Sequence, residues 1–423
     1  MNPLDAHTLL QQGRLDEAEQ AARKSLQRHP RDVESMNVLA LIALRRDQLP
    51  QAQRLLESSI ALAPDHALTR HYLGRVLDAA GDIENSVAAH GVAIQLAPAM
   101  FVVRLHYAIA LERAGRVEQA AVQYFRATRD AQAQGRWTNA ETTAPAIRPL
   151  VEHAVQMVRA TRRETYAKLL EPLQRQYGAD SLQRVEQCLR IYFNEEPPVY
   201  ADARQRPTFL YFPGPPPAAY LDRSLFPWLE ELEAQTDAIR EELLRLLPSE
   251  AGRERVFTSE SIEQQNLRGL NAAPTWNGYY FYRHGIRRDD NCASCPVTAR
   301  ALELLPLSHV REHGPEVLFS VFTAGTHLLP HRGVTNTRLV GHLPLLVPPD
   351  CALNVGGEIH EWQEGRAVIF DDTYEHEAWN RSQQTRVVLI FDLWNPHLTE
   401  VERAAIEQLV PAMGDFRKAA EAA

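Results

Sequence analysis

The 423-residue sequence lacks several features that would assign it to a broad class of proteins. No run of about 18 apolar residues occurs, so no membrane-spanning helix is predicted. Four cysteines in so long a chain do not form a disulfide scaffold. The net charge of −9 gives no support for nucleic-acid binding, which needs a basic face. The first residues show neither the basic region nor the apolar core of a signal peptide. These absences predict a soluble, cytoplasmic protein.

The composition, with 45% hydrophobic and 23% charged residues, is that of a globular protein. The chain is too long for one ordinary core, so it should contain more than one domain. We predict three parts: a helical repeat array over residues 1–135, a helical extension and linker over 136–200, and a further domain over 201–423. The clustered prolines near residues 197–217 mark the entry to this last domain.

The first part carries an internal repeat of 34 residues. Four columns of residues keep this step in one register: Pro30, Pro64 and Pro98; Gly13, Asp47, Gly81 and Gly115; Ala18, Ala52, Ser86 and Ala120; Ala40, Gly74 and Ala108. This period, with small residues where helices cross and a proline after the second helix, resembles the tetratricopeptide repeat over about residues 4–130. The resemblance implies stacked helix pairs that form a solenoid with a concave groove.

Three polar residues fall at positions that line the groove in related arrays. They are Asn37, His71 and Arg75. A solvated helix face is the simpler interpretation of any one of them. Taken together, they make the groove a candidate surface for a peptide or protein, either as a partner or as a substrate.

From about residue 316 the hydrophobic period changes to two, which predicts short β-strands. Gly356 and Gly357 separate two of these strands and indicate a hairpin. Several short strands at close spacing favour a sandwich or barrel. A helix over 226–247 is expected to pack outside the sheet, and "VERAAIEQLV" closes the strand region as a second helix.

Two histidines lie at the ends of predicted strands, His331 in "PHRG" and His376 in "EHEAWN". Imidazole is the commonest protein ligand for iron, zinc, copper and nickel. Many non-heme iron sites take a carboxylate two residues after the first histidine, on the same strand face, but residue 333 is glycine. On their own the two histidines are more readily explained as structural residues.

Arg386 changes this balance. It begins the strand "RVVLIFDLW", which is apolar on both faces and therefore predicted to be buried on both sides. An arginine that enters such a strand needs an anion. Two candidates fit: a dicarboxylic cosubstrate such as 2-oxoglutarate, held beside a metal, or an internal partner such as Asp392.

Two stretches, "SVFTAGTHLLPHRGVTNTRLVGHLPLLVP" and "GRAVIFDDTYEHEAWNRSQQTRVVLIFDLWNP", closely resemble the aspartyl/asparaginyl β-hydroxylase family. The resemblance covers about residues 270–396. It implies a double-stranded β-helix (jelly-roll) fold and an oxygenase that depends on Fe(II) and 2-oxoglutarate. Members of this family bind iron with two histidines and have glycine in place of the carboxylate, so Gly333 agrees with it.

The resemblance also implies roles for single residues. His331 and His376 would bind iron. Arg386 and Ser320 would hold the distal carboxylate of 2-oxoglutarate, and His342 would help to hold its keto-acid end. Some members have an arginine two residues before that histidine, where this chain has Val340. Arg338, on the same strand face, is then the candidate that neutralises the proximal carboxylate.

Three functions compete at this point. The first is hydroxylation of the β-carbon of Asp or Asn in a peptide or protein recruited by the repeats. The second is hydroxylation of a fatty-acyl chain in a lipid, or of a small molecule. The third is a repeat adaptor without catalytic activity, which the intact His331, His376 and Arg386 make the least favoured.

Overall fold

The computed structural model describes residues 5–248, 253–255, 267–268 and 276–423. The chain forms two compact units. The first comprises the residues up to Ala167 together with Gly414–Ala423, and the second runs from Lys168 to Met413. The three-part division made from the sequence stays a prediction. Its first residues, 1–4, and the start of the expected β-helix core at 270–275 lie outside the described residues.

The first unit is built from pairs of helices. In chain order they are α1 (Ala6–Gln11), α2 (Leu15–Arg28), α3 (Val33–Arg45), α4 (Leu49–Leu62), α5 (Ala67–Ala79), α6 (Ile83–Leu96), α7 (Phe101–Arg113) and α8 (Val117–Ala133), followed by α9 (Arg148–Tyr177), whose last ten residues belong to the second unit. The predicted helical repeat is therefore confirmed.

The 34-residue column of glycines and Asp47 has a direct structural cause. Gly13, Asp47, Gly81 and Gly115 all adopt positive φ, between 59° and 81°, in the turn between the two helices of a pair. This left-handed conformation is easy for glycine and tolerated by aspartate. The column therefore marks the turns, and the small residues Ala40, Gly74 and Ala108 are buried where helices cross.

The prediction that Asn37 faces a partner is wrong. Asn37 is 2% exposed; its amide donates to the Thr69 hydroxyl at 2.8 Å and accepts from the Ser59 hydroxyl at 3.0 Å. It ties α3 to the next two helices, because a buried amide must find partners inside the protein. His71 is also buried, at 4% exposure, whereas Arg75 is half-buried.

The second unit combines helices with two antiparallel sheets. The helices are α10 (Gln183–Tyr192), α11 (Leu229–Ala234), α12 (Thr236–Leu246), α13 (Asp289–Ser294), α14 (Pro296–Leu302) and the closing helix α15 (Glu400–Ala422), whose last turns belong to the first unit. The strands are β1 (Arg253–Arg255), β2 (Leu267–Arg268), β3 (Trp276–Arg283), β4 (Ile286–Arg287), β5 (Val317–Phe322), β6 (His327–His331), β7 (Arg338–Leu346), β8 (Cys351–Val355), β9 (Glu358–Glu361), β10 (Val368–Phe370), β11 (His376–Asn380) and β12 (Arg386–Trp394).

The larger sheet has the strand order β1-β3-β5-β12-β7-β10, with β4 paired to β3, and the smaller sheet has the order β2-β6-β11-β8-β9. Gly356 and Gly357 form the predicted hairpin between β8 and β9. The predicted helix over 226–247 is two helices, α11 and α12, interrupted at Gln235. Two antiparallel sheets confirm the expected strand domain, and the double-stranded β-helix itself stays a prediction.

Strand β12 is buried on both faces, as its sequence predicts. Val387, Leu389 and Phe391 pack into a core shared with α11, α12 and α14. Val388 and Ile390, on the opposite face, belong to a second core shared with the smaller sheet. The face that carries Val388 also carries Arg386, because side chains alternate along a strand. In the described parts of the chain, no helix is both long and apolar enough to cross a membrane.

Candidate active site

The two predicted metal ligands lie side by side in the smaller sheet. His331, at the end of β6, is paired in register with His376, at the start of β11. Their ring centroids are 4.1 Å apart. The antiparallel pairing of two distant strands therefore brings together the two histidines that the sequence separates by 45 residues.

Backbone carbonyl groups orient both imidazoles. His331 Nδ1 lies 2.8 Å from the carbonyl oxygen of Leu329, and His376 Nδ1 lies 3.1 Å from that of Tyr374. When each Nδ1–H donates to its carbonyl, the ring lone pair is on Nε2, which is the arrangement of a metal-binding histidine. Burial, with a smaller contribution from His331, lowers the pKa of His376 to about 3, so its ring is neutral.

Arg386 is the most unusual charged residue of the second unit. It is 1% exposed, and burial lowers its pKa to about 9. Its guanidinium lies between two aromatic rings, 4.3 Å from the centroid of Phe322 and 4.2 Å from that of Trp362. No carboxylate of the described residues forms an ion pair with it, and its Nε has no hydrogen-bond partner there. A buried cation in this state calls for an anion that the described residues do not supply.

Ser320 is the one side chain that hydrogen-bonds the Arg386 guanidinium among the described residues. Its hydroxyl oxygen accepts from Arg386 Nη1 at 3.3 Å and from the indole Nε1 of Trp276 at 2.9 Å. With both lone pairs engaged, the hydroxyl hydrogen is left to donate to another acceptor. Ser320 and Arg386 together therefore form a donor pair suited to a carboxylate.

His342 lies on β7, opposite Ile390 of β12. It is buried, and its Nδ1 has no hydrogen-bond partner in the described part of the chain. Burial, the nearby Arg386 and His376 hold its pKa well below the usual range. Its ring is 5.8 Å from that of Trp362, whose Nε1 is also buried without a partner in that part. Unsatisfied buried donors and acceptors beside Arg386 point to a missing polar ligand.

Arg338 is in a different state from Arg386. It forms ion pairs with Asp372, at 3.2 Å, and with Asp392. Burial alone would lower its pKa, but these two carboxylates raise it. Asp392 is therefore the partner of Arg338 and not of Arg386, which removes the internal partner considered from the sequence. The predicted role of Arg338 toward a cosubstrate stays a prediction, and its two ion pairs weigh against it.

Asp372 fills the space beside Gly333. The backbone N–H of Gly333 donates to the carbonyl oxygen of Asp372 at 2.7 Å, and a Cβ at residue 333 would overlap the Asp372 carboxylate. Burial raises the pKa of Asp372 to about 7, against the opposing effect of Arg338. Glycine at 333 thus leaves room for a carboxylate from the turn between β10 and β11, and an aspartate side chain at 333 would overlap it.

All six residues named from the sequence line one cavity of about 340 Å³ between the two sheets. His331 and His376 come from the smaller sheet, and Ser320, Arg338, His342 and Arg386 come from the larger sheet. The remaining lining is mainly apolar and includes Leu318, Leu328, Val340, Leu353 and Ile390.

Sequence reasoning missed three aromatic residues around Arg386. Phe322 could have been found, because it lies two residues after Ser320 and so shares its strand face. Trp276 and Trp362 carried no such signal, since their contacts depend on how distant segments pack. The pairing of Arg338 with two carboxylates was likewise not predicted.

The arrangement is a pair of adjacent imidazoles beside a buried arginine and serine. Within the described ranges there is no group of three or more His, Cys, Asp or Glu side chains arranged to hold a metal. A metal in this cavity would therefore take two imidazoles from the protein. Such a site leaves several coordination positions for small molecules.

Comparison with known proteins agrees with this geometry. Residues 233–396 match the model of a family described as aspartyl/asparaginyl beta-hydroxylase, and residues 9–72 match a tetratricopeptide repeat. The chain is 36% identical over 186 residues to the ornithine lipid ester-linked acyl 2-hydroxylase of Rhizobium tropici. The aligned region covers 43% of this chain and 62% of that protein.

Two human proteins are also similar. Aspartyl/asparaginyl beta-hydroxylase is 32% identical over 179 residues, covering 42% of this chain and 22% of that protein. Aspartate beta-hydroxylase domain-containing protein 2 is 30% identical over 245 residues, covering 56% of this chain and 63% of that protein. The chain thus spans less than two thirds of the length of each of these three relatives. Residues 233–396 are thus similar to the aspartyl/asparaginyl β-hydroxylase family, and they follow a region that matches a tetratricopeptide repeat.

Proposed function

We propose that this protein is an Fe(II)- and 2-oxoglutarate-dependent dioxygenase that hydroxylates the β-carbon of an Asp or Asn residue in a peptide or protein recruited by the repeats. One observation carries the proposal: a buried arginine, with no acidic partner among the residues that the structure describes, lines the same cavity as two adjacent, carbonyl-oriented histidines. The arginine is suited to bind a carboxylate, and the two histidines are suited to bind a metal ion.

The residues present fit both groups. His331 and His376 would hold iron, with their rings set by the carbonyl groups of Leu329 and Tyr374. Neutral imidazoles with an oriented Nδ1–H are stronger ligands than freely rotating ones. Iron, 2-oxoglutarate and O2, when bound, would supply the oxidising chemistry: one oxygen atom of O2 is inserted into a C–H bond of the substrate, and the other enters succinate as 2-oxoglutarate loses CO2.

The larger sheet would hold the cosubstrate. Arg386 and the Ser320 hydroxyl would pair with the distal carboxylate, and Trp276 keeps the Ser320 oxygen in place. His342, with its buried and unsatisfied Nδ1, would contact the keto-acid end. Because these groups are rigid and already desolvated, little reorganisation accompanies binding.

The protein also limits access of water to this cavity. Apolar side chains from both sheets form most of its lining, including Leu328, Val340 and Ile390. The ion pairs with Asp372 and Asp392 neutralise the Arg338 guanidinium without water. Exclusion of water strengthens the interaction between Arg386 and a carboxylate, since charges attract more strongly in a low dielectric.

Succinate release by the purified full-length protein, with Fe(II) and 2-oxoglutarate, tests the oxygenase. Peptides that co-purify with the protein can then be examined by mass spectrometry for the added mass of one oxygen on Asp or Asn. If no succinate is released with any metal tested, the oxygenase proposal is wrong and a non-catalytic repeat adaptor becomes the favoured function.

Hydroxylation of a fatty-acyl chain is the second candidate function. It is favoured by the 36% identity to an ornithine lipid ester-linked acyl 2-hydroxylase and by the apolar lining of the cavity. The two functions differ in what stimulates succinate release, a peptide extract or a lipid extract. Stimulation by lipid alone, with the oxygen on an acyl chain, would replace the peptide proposal.

A further inference from the structure

One arginine of the first unit, Arg75, has no acidic partner among the described residues. Arg75 lies on α5, half-buried, and its guanidinium has no hydrogen bond and no ion pair among the described residues. Asp78, one turn along the same helix, is paired instead with Arg113 at 2.6 Å. Burial lowers the pKa of Arg75, and the nearby Arg45 adds to this effect. A half-buried cation in this position would gain from an anion supplied by a ligand.

Three imidazoles surround this arginine. The ring centroids of His71 and His90, and of His71 and His106, are each 5.1 Å apart, and the Nδ1 atoms of His71 and His90 are separated by 3.3 Å. Gly74 makes room for them, since a Cβ there would lie 2.6 Å from His90 Nε2. Burial lowers the pKa of His90 to about 3 and that of His106 to about 4. The rings are therefore neutral near pH 7; one N–H of the His71–His90 pair is used in the hydrogen bond between them, and the other rings each keep one N–H.

A cavity of about 290 Å³ opens beside Arg75, His90 and His106. Its apolar lining includes Leu44 on α3 and Ile109 on α7. Helices α3, α5 and α7 are the first helices of three successive pairs, so the cavity spans three neighbouring repeats. It combines the Arg75 cation and imidazole N–H groups with apolar flanks, and its lining also includes the Asp78 carboxylate, which is paired with Arg113.

We propose that this cavity, the Arg75 pocket, binds the carboxylate of an Asp or Glu side chain within a peptide that has apolar residues next to the acid. The inference rests on the proposed role of the repeats in recruitment and adds the chemistry that they select. A metal ion fits less well, because Arg75 would repel it and no group of three metal-binding side chains is arranged for one in the described parts of the chain. Asp78 does not oppose an anion, since Arg113 already neutralises it.

Fluorescence polarisation with two labelled peptides of sequence Ala-Leu-Asp-Leu-Ala and Ala-Leu-Asn-Leu-Ala tests this site on the full-length chain near neutral pH. We expect the Asp peptide to bind several-fold more tightly than the Asn peptide. Arg75→Gln should weaken the Asp peptide about tenfold and abolish the preference, as for loss of a partly desolvated charge pair. Arg75→Lys should restore part of it by keeping the charge.

Arg54→Gln is the matched control, because it removes the same charge from an exposed position on α4. It should bind both peptides as the wild type does. Equal binding of the two peptides by the wild type, or unchanged binding by a folded Arg75→Gln variant, would overturn the proposal. Iron and 2-oxoglutarate are omitted from this binding assay. A negative result would therefore contradict only the Arg75 pocket, whereas the oxygenase proposal is tested separately by succinate release.

Discussion

Replacement of Arg386 separates a cosubstrate anchor from a structural arginine. The guanidinium is buried between Phe322 and Trp362, and its one hydrogen bond in the described structure goes to Ser320. If it pairs with the distal carboxylate of 2-oxoglutarate, alanine leaves that carboxylate unpaired in an apolar pocket. Truncating one partner of such a pair costs on the order of 2–5 kcal/mol. This corresponds to roughly thirty-fold or more in affinity for 2-oxoglutarate.

Arg386→Lys should give an intermediate affinity, because lysine keeps the charge but loses the two parallel donors. Iron content should be unchanged in both variants, since Arg386 is not a proposed ligand. The assay is a 2-oxoglutarate titration by succinate release, with iron measured in the same preparations. Arg381→Ala is the control, because it removes an exposed arginine five residues earlier.

Thermal stability adds a second readout for the same residue. Without cosubstrate, the buried charge of Arg386 has no ion-pair partner among the described residues. Arg386→Met should therefore melt no earlier than the wild type. In the wild type 2-oxoglutarate should raise the melting temperature by linkage, and the methionine variant should lose this response. An unchanged Michaelis constant in Arg386→Ala, or strong destabilisation of Arg386→Met without cosubstrate, would refute the assignment.

Further predictions concern the metal site and two carboxylates. His331→Ala and His376→Ala should each abolish iron binding and turnover while the thermal melt stays cooperative, and near-normal succinate release by either would exclude it as a ligand. Gly333→Ala should lower the melting temperature by several degrees, because its Cβ overlaps the Asp372 carboxylate, and adding Asp372→Ala should recover most of the loss. Burial raises the pKa of Glu316 from its ordinary 4.5 to about 7, so folding takes up a proton and stability falls as the pH rises through this window. Glu316→Gln should therefore gain about 2 kcal/mol near pH 8 relative to pH 5 in urea unfolding, and an unchanged pH profile would contradict it.

The repeat region was predictable because its signal is periodic. Gly13, Asp47, Gly81 and Gly115 mark the turns, and their positive φ values give the physical reason for the column. Asn37 was assigned wrongly because helical periodicity locates a side chain on a helix face but does not reveal a hydrogen-bond partner 22 or 32 residues away. Burial of a polar residue by its neighbouring repeats is a tertiary property.

The site was predictable to the extent that strand alternation reports it. The apolar strand that follows Arg386 indicated a buried arginine, and the structure places it at 1% exposure. Alternation also put Arg338 and His342 on one face of β7, but it could not show that Arg338 is already paired with Asp372 and Asp392. Those partners lie 34 and 54 residues away in the sequence, on segments whose register only the fold defines.

The charges around the cavity explain how Val340 is tolerated where some family members have an arginine. Three arginines line the cavity (Arg283, Arg338 and Arg386), and three carboxyl groups (Glu316, Asp372 and Asp392) contribute up to three negative charges. A divalent metal and a dicarboxylate would enter with no net charge, so the cavity stays balanced when both are bound. The proximal carboxylate would then be neutralised mainly by the metal beside His331 and His376. A further arginine at 340 would add an unbalanced cation to a buried site, which the desolvation of ions makes unfavourable.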